Sequence, residues 1–200
     1  MRTAVNAASS VSGQPVRMES TRTLWTVGHS THPWDAFVAM LHAGGIERIV
    51  DVRLLAGSRR YPQFNSDAMA LQLPKAGIDY VPMRDLGGRR RPRKDSHNIA
   101  WRNAAFRGYA DYMETADYQL ARDQLAALAL ERNTSVMCAE AVWWQCHRSL
   151  ISDDFKADGW TVLHLQPGGR VKEHPYTGAA RIVDGHLDYS VPAEPQPGLF

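Results

Sequence analysis

Cysteine is scarce in this chain, excess charge is nearly absent, and long apolar runs are missing. Two cysteines in 200 residues are too few for a disulfide framework, so a reducing, cytoplasmic setting is the simplest expectation. The formal net charge of +2 gives no bulk electrostatic reason to expect a nucleic-acid partner. No segment approaches the roughly 20 apolar residues that span a bilayer, so no membrane partner is expected. Residues 1–21 carry a charge and small side chains without a continuous apolar core. They read as a flexible leader, not a secretory signal. Residues 191–200 are proline-rich and read as an irregular tail. Residues 22–190 remain as one expected domain. The composition of the whole chain, 44% hydrophobic and 22% charged, is ordinarily globular.

Along that domain, short apolar runs alternate with helical patterns. "TLWTVGHS" (23–30), "IERIVDVRLL" (46–55), "IDYVPM" (78–83), "TSVMCAE" (134–140) and "WTVLHL" (160–165) read as strands. Residues 33–45 read as a helix with Pro33 in its first turn and glycines at its end. Helical patterns also cover 65–77, ending near Pro74, and 103–113, 116–133 and 145–159. "RIVDGHLDYS" (181–190) reads as a small hairpin turning at Asp184-Gly185. Residues 84–98 form a long polar loop of a length associated with function or mobility. The alternation predicts an α/β fold: a Rossmann-like three-layer sandwich with a mostly parallel sheet of about five strands.

Ligands of such sheets bind beyond the carboxyl ends of the strands. The residues expected there are chemically rich. Gly28-His29-Ser30 follow the first strand. Asp51 and Arg53 follow the second, with Arg59, Arg60 and Asn65 in the next loop. Cys138 and Glu140 end the fourth. Alternation puts Cys138 and Glu140 on one side of their strand, and Cys146, His147 and Arg148 are expected to open the next helix. Free backbone N–H groups there favour an anion, and Arg148 can grip phosphate or carboxylate.

Each feature also has a plain reading as packing. Free cysteines are often simply buried, and His147 shares a helical face with Leu150, Ile151 and Phe155. Ser30 reads as a helix cap, and Asp51 and Arg53 as a mutual pair. The four potential ligands Cys138, Glu140, Cys146 and His147 match no common zinc spacing. "RRRPRK" (89–94) reads as a solvated loop that also steers polyanions. Trp143 and Trp144 cannot easily both face the core within a loop, so at least one is expected to be exposed or to line a pocket. His174 and Tyr176 lie in a late loop expected to cover the site.

Together, "TVGHS", "DVR", "SRRYPQFN", "LGG", "WRNAAFRGYADYM" and "CAEAVWWQCHRSLI" resemble the bacterial and archaeal family called domain of unknown function 488, in order over residues 22–190. The resemblance implies a compact α/β fold and a shared polar site, without an agreed reaction. Its motif residues fall on His29, Ser30, Asp51, Arg53, Arg59, Arg60, Asn65, Cys138, Glu140, Cys146, His147 and Arg148.

The leading expectation is a hydrolytic enzyme acting on a phosphate-bearing substrate such as a nucleotide or nucleic acid. Glu140 or Asp51 serves as base or nucleophile and His29 as proton shuttle, and Arg53, Arg148 and the helix start at Cys146 hold the anion. No cofactor is required by that reading. Two alternatives stand beside it. One is a metal- or thiol-dependent enzyme using the Cys138, Glu140, Cys146 and His147 cluster, with a divalent metal as cofactor. The other is a nucleic-acid-binding module without chemistry.

Overall fold

The computed structural model describes residues 22–190. The expectations for the leader and the tail lie outside the described residues. Six strands form one sheet in the order β3-β2-β4-β1-β5-β6. They are β1 (Thr23–Gly28), β2 (Arg48–Asp51), β3 (Asp79–Pro82), β4 (Thr134–Cys138), β5 (Thr161–Gln166) and β6 (Arg170–Glu173). The first five are parallel, and β6 returns antiparallel along β5. Five helices flank the sheet: α1 (Trp34–Ala43), α2 (Ser66–Gln72), α3 (Ala104–Met113), α4 (Ala116–Glu131) and α5 (Arg148–Ala157). A separate hairpin pairs β7 (Arg181–Val183) with β8 (His186–Asp188). Its turn residues Asp184 and Gly185 both have positive φ, as a tight two-residue hairpin requires.

Strand alternation divides the core into two layers. Leu24, Val50 and Val136 point to the face covered by α3, α4 and α5. Val27, Ile49 and Met137 point to the face covered by α1 and α2. β4 is buried along its whole length, which explains its continuous apolar and small-residue character. Each fully buried Leu, Ile, Val or Phe contributes roughly 1.5–3 kcal/mol against exposure, so these two layers are the main source of stability. Among the described residues no helix is long and apolar enough to cross a membrane.

Two expectations needed correction. The sheet has six strands instead of about five, because β6 is exposed at all four positions and carries no hydrophobic signature. α5 begins at Arg148, not at 145, because Trp143–Gln145 form a 3-10 turn and Cys146 is extended (φ −130°, ψ 147°). The long loop before α3 is also tied down. The Asp111 carboxylate accepts hydrogen bonds from the Arg93 backbone N–H, the Ser96 hydroxyl and the Asn98 amide.

The chain path places the site. α1 and α2 carry the chain from β1 and β2 across one face, while α5 carries it from β4 across the other. β4 sits between β1 and β2, and its connection leaves to the opposite face from theirs, so neighbouring connections diverge at its carboxyl end. Such a divergence opens a crevice in parallel sheets.

Candidate active site

Gly28 and Cys138 are register partners, so the ends of β1 and β4 coincide. Backbone hydrogen bonds continue the pairing past the strands: His29 N–H donates to Cys138 O, and Ser30 N–H to Ala139 O. Gly28 has to be glycine here. A Cβ on it would lie 1.8 Å from the Glu140 carbonyl oxygen and 2.9 Å from Arg148 Nη1. The "TVGHS" and "CAE" motifs therefore meet at one end of the sheet.

Beyond these strand ends lies a cleft of about 290 Å³. Cys138, Ala139, Glu140, Gln145, Cys146 and His147 all line it. Leu54, Leu55 and Phe106 supply apolar surface, and Arg89 stands on the rim. Glu140 is exposed, whereas Cys138 and Cys146 are buried and not bonded to each other. The ligating atoms of Cys138, Cys146 and His147 all lie within 4.8 Å of one another. Cys146 Sγ is 3.6 Å from His147 Nδ1. Gly88 makes this possible, because a Cβ there would meet His147 Nδ1 at 2.7 Å. The other side of the His147 ring packs near Tyr109, whose hydroxyl donates to Leu86 O.

The cluster is strongly polarised. The neighbouring Cys146 thiol pulls the Cys138 thiol well below its usual range; His147 and Arg148 reinforce it against the cost of burial. Burial and the Cys138 partner push Cys146 up. Arg148 lies beneath the loop, 1% exposed, and its Nη2 donates to the carbonyls of Glu140 and Ala141. Its Nε and Nη1, together with His147 Nε2 and Ser149 Oγ, are buried without hydrogen-bond partners. Unsatisfied buried polar atoms are rare in folded proteins, and four of them fall on the three consecutive residues 147–149 beside the cleft.

The remaining motif residues form a separate network. Asp51 and Arg53 pair in two places, Nε to Oδ1 at 2.8 Å and Nη2 to Oδ2 at 2.6 Å. Tyr80 donates its hydroxyl to Asp51 at 2.7 Å, and Arg53 also donates to Phe64 O. His29 is buried, stacked on Phe64, and uses both nitrogens: Nδ1 faces Ser30 O and Nε2 faces Arg53 Nη1, each at 2.9 Å. Burial, with Arg53 adding, lowers the His29 pKa to about 4, so the ring is neutral. Neutral imidazole carries one proton. Arg53 can only donate, so the proton sits on Nδ1 and goes to Ser30 O.

The site thus differs from its expected form at several positions. His29 and Asp51 do not line the cleft; His29 spends its nitrogens on Ser30 O and Arg53, and Asp51 its oxygens on Arg53 and Tyr80. Arg53 lines it, but its charge is already matched by Asp51. Ser30 does not cap α1. Pro33 holds the cap position without a side-chain bond, and Ser30 adopts a left-handed conformation (φ 48°) instead. Cys146 does not open a helix, so the anion-holding helix start expected there is absent; His147 is the residue before α5. Asn65 accepts from the Ser58 backbone N–H, closing the loop in which Arg59 and Arg60 are exposed. His174 does not cover this cleft. It is buried against Asp153 and His164. As expected, only one of the paired tryptophans is buried: Trp143 is covered and Trp144 is 52% exposed. Sequence reading alone overlooked Gln145, Leu54, Leu55 and Phe106 as cleft residues. Only the "LGG" and "RRRPRK" stretches pointed towards Gly88 and Arg89.

Fold and site together define a doubly wound α/β protein with a cysteine–histidine cleft at the carboxyl ends of its parallel strands, where the connections part to opposite faces. The family model described as "Domain of unknown function DUF488" matches residues 33–154, and the chain belongs to that family. No curated protein and no solved structure gives a significant match.

Proposed function

We propose that the protein is a hydrolytic enzyme acting on a phosphate-bearing substrate, a nucleotide or a nucleotide unit of a nucleic acid, in the cleft above Cys138. The observation that carries this reading is that the exposed Glu140 and Arg89 line the same cleft as Cys138, Cys146 and His147. A carboxylate open to the cleft can take a proton from water and return it to a leaving group. Arg89 supplies a positive charge for phosphate, and the flat apolar surface of Leu54 and Phe106 suits a ring system.

In this reading His29 and Asp51 support the site without doing acid–base chemistry. The Asp51, Arg53 and His29 network ties β2 to the loop after β1, and that loop in turn bonds to Cys138 and Ala139.

The test is turnover on a panel of nucleotides, phosphomonoesters, phosphodiesters and short oligonucleotides. Wild-type protein is expected to hydrolyse one class. Glu140→Gln is expected to fold normally, because the residue is exposed, and to lose about 100-fold or more in kcat. Full activity in Glu140→Gln, or no turnover of any phosphate-bearing compound by folded protein, refutes the reading.

A further inference from the structure

We infer that Cys138, Cys146 and His147 form a three-ligand site for a single zinc-class divalent cation, with its fourth position open to the cleft beside Glu140. Whether the ion binds is independent of the hydrolytic reading; what it does once bound rests on that reading.

The geometry is the first support. Metal–sulfur bonds of about 2.3 Å and metal–nitrogen bonds of about 2.0–2.1 Å at tetrahedral angles place sulfur and nitrogen about 3.6 Å apart. Cys146 Sγ and His147 Nδ1 already stand at 3.6 Å. All three ligand atoms converge within 4.8 Å. The sequence spacing gave no hint of this, since the residues are gathered by the fold: Cys138 from the end of β4, the other two from the loop before α5.

The second support is preorganisation. Pairing of Gly28 with Cys138 fixes one ligand. Arg148 clamps the loop carbonyls of Glu140 and Ala141, and Gly88 and Tyr109 confine the His147 ring. Little rearrangement separates this arrangement from a ligated one.

The third support is access. Cys138 is 6% and Cys146 3% exposed, so neither thiol is well placed to attack a substrate itself. An ion held by them would face the cleft that they and Glu140 line, and would supply a Lewis acid for a bound water or phosphate oxygen there. Three protein ligands with one open position is the pattern of catalytic zinc sites, and two thiolates with an imidazole select zinc or cobalt(II) over magnesium and calcium.

The experiment uses the full chain, stripped with chelator and titrated with Co²⁺, then Zn²⁺. The expected result is one equivalent of Co²⁺ with thiolate-to-cobalt charge-transfer absorption and the intense visible bands of tetrahedral cobalt, displaced by Zn²⁺. Bound Zn²⁺ should slow alkylation of both cysteines. Cys146→Ser and His147→Gln should each weaken Co²⁺ affinity at least tenfold, and Glu140→Gln should leave the charge-transfer band in place. Should a variant fail to fold, thiol protection in the wild-type chain decides alone. Absence of a cobalt–thiolate band together with thiols that react equally fast with and without Zn²⁺ overturns the site. A metal-loaded protein that hydrolyses nothing refutes the hydrolytic reading and leaves the metal site standing.

Discussion

Gly28 shows how much of this site rests on a missing side chain. The space a Cβ would take is already held by the Glu140 backbone, which cannot swing aside as a flexible side chain would. Gly28→Ala is therefore expected to exceed the roughly 1–3 kcal/mol typical of overpacking, or to push the 139–147 loop outwards. Thermal unfolding checks the first outcome, and Co²⁺ affinity checks the second. The glycine was visible in the sequence as part of "GHS", and Cys138, Glu140, Cys146 and His147 were visible as a crowded reactive stretch. The fate of His29, Asp51 and Arg53 was not. A strand-end histidine, aspartate and arginine look alike in a sequence whether they face a ligand or one another. Here the close bonding of Asp51 to Arg53 and Tyr80 turns them inward.

Among the elements, the 84–98 loop departs most from expectation. Its length suggested mobility, yet three of its donors converge on Asp111 of α3, a residue 3% exposed. Arg90 lies over the Tyr112 ring at 3.6 Å, and Arg93 pairs with Glu114. Part of the basic run is thus spent holding the loop to α3, which leaves Arg89 on the cleft. Asp111→Ala should strand those donors at a cost of about 1–3 kcal/mol and expose the loop to protease cleavage near residues 89–98. Limited proteolysis of the two proteins makes the comparison. Such anchoring could not be read from the sequence, because Asp111 sits in the last turn of α3 with nothing to set it apart from a solvated carboxylate. β6 escaped for a related reason: an exposed edge strand has no burial pattern to betray it.

Across the whole molecule, the strand and helix order was legible because the central strands β2 and β4 are buried throughout and the parallel strands read as short apolar runs between helical patterns. What stayed hidden is the polar chain that fastens the C-terminal segment to the sheet. Thr26 Oγ1 bonds His164 Nδ1 at 2.6 Å, His164 Nε2 meets His174 Nδ1 at 2.9 Å, and His174 Nε2 meets Asp153 at 2.9 Å. Asp153 also accepts from Thr177 and Tyr189. Burial, with His174 adding, lowers the His164 pKa to about 2. The unfolded chain, with a histidine pKa of about 6.5, binds this proton first, so acid favours unfolding. Stability is expected to be full above pH 6.5 and to fall as the pH drops towards 2, by up to about 1.4 kcal/mol per pH unit from this group. Melting temperatures recorded from neutral to acid pH test this, and His164→Gln should flatten the acid limb. An equally steep limb in that variant would assign the effect elsewhere.

Cys138 and Cys146 are both buried and both line a hollow of about 290 Å³. Under the proposed reading so small a volume sets a size rule. It would take in one nucleotide unit at most, so a long strand would have to offer its terminus or a single unit turned out of line.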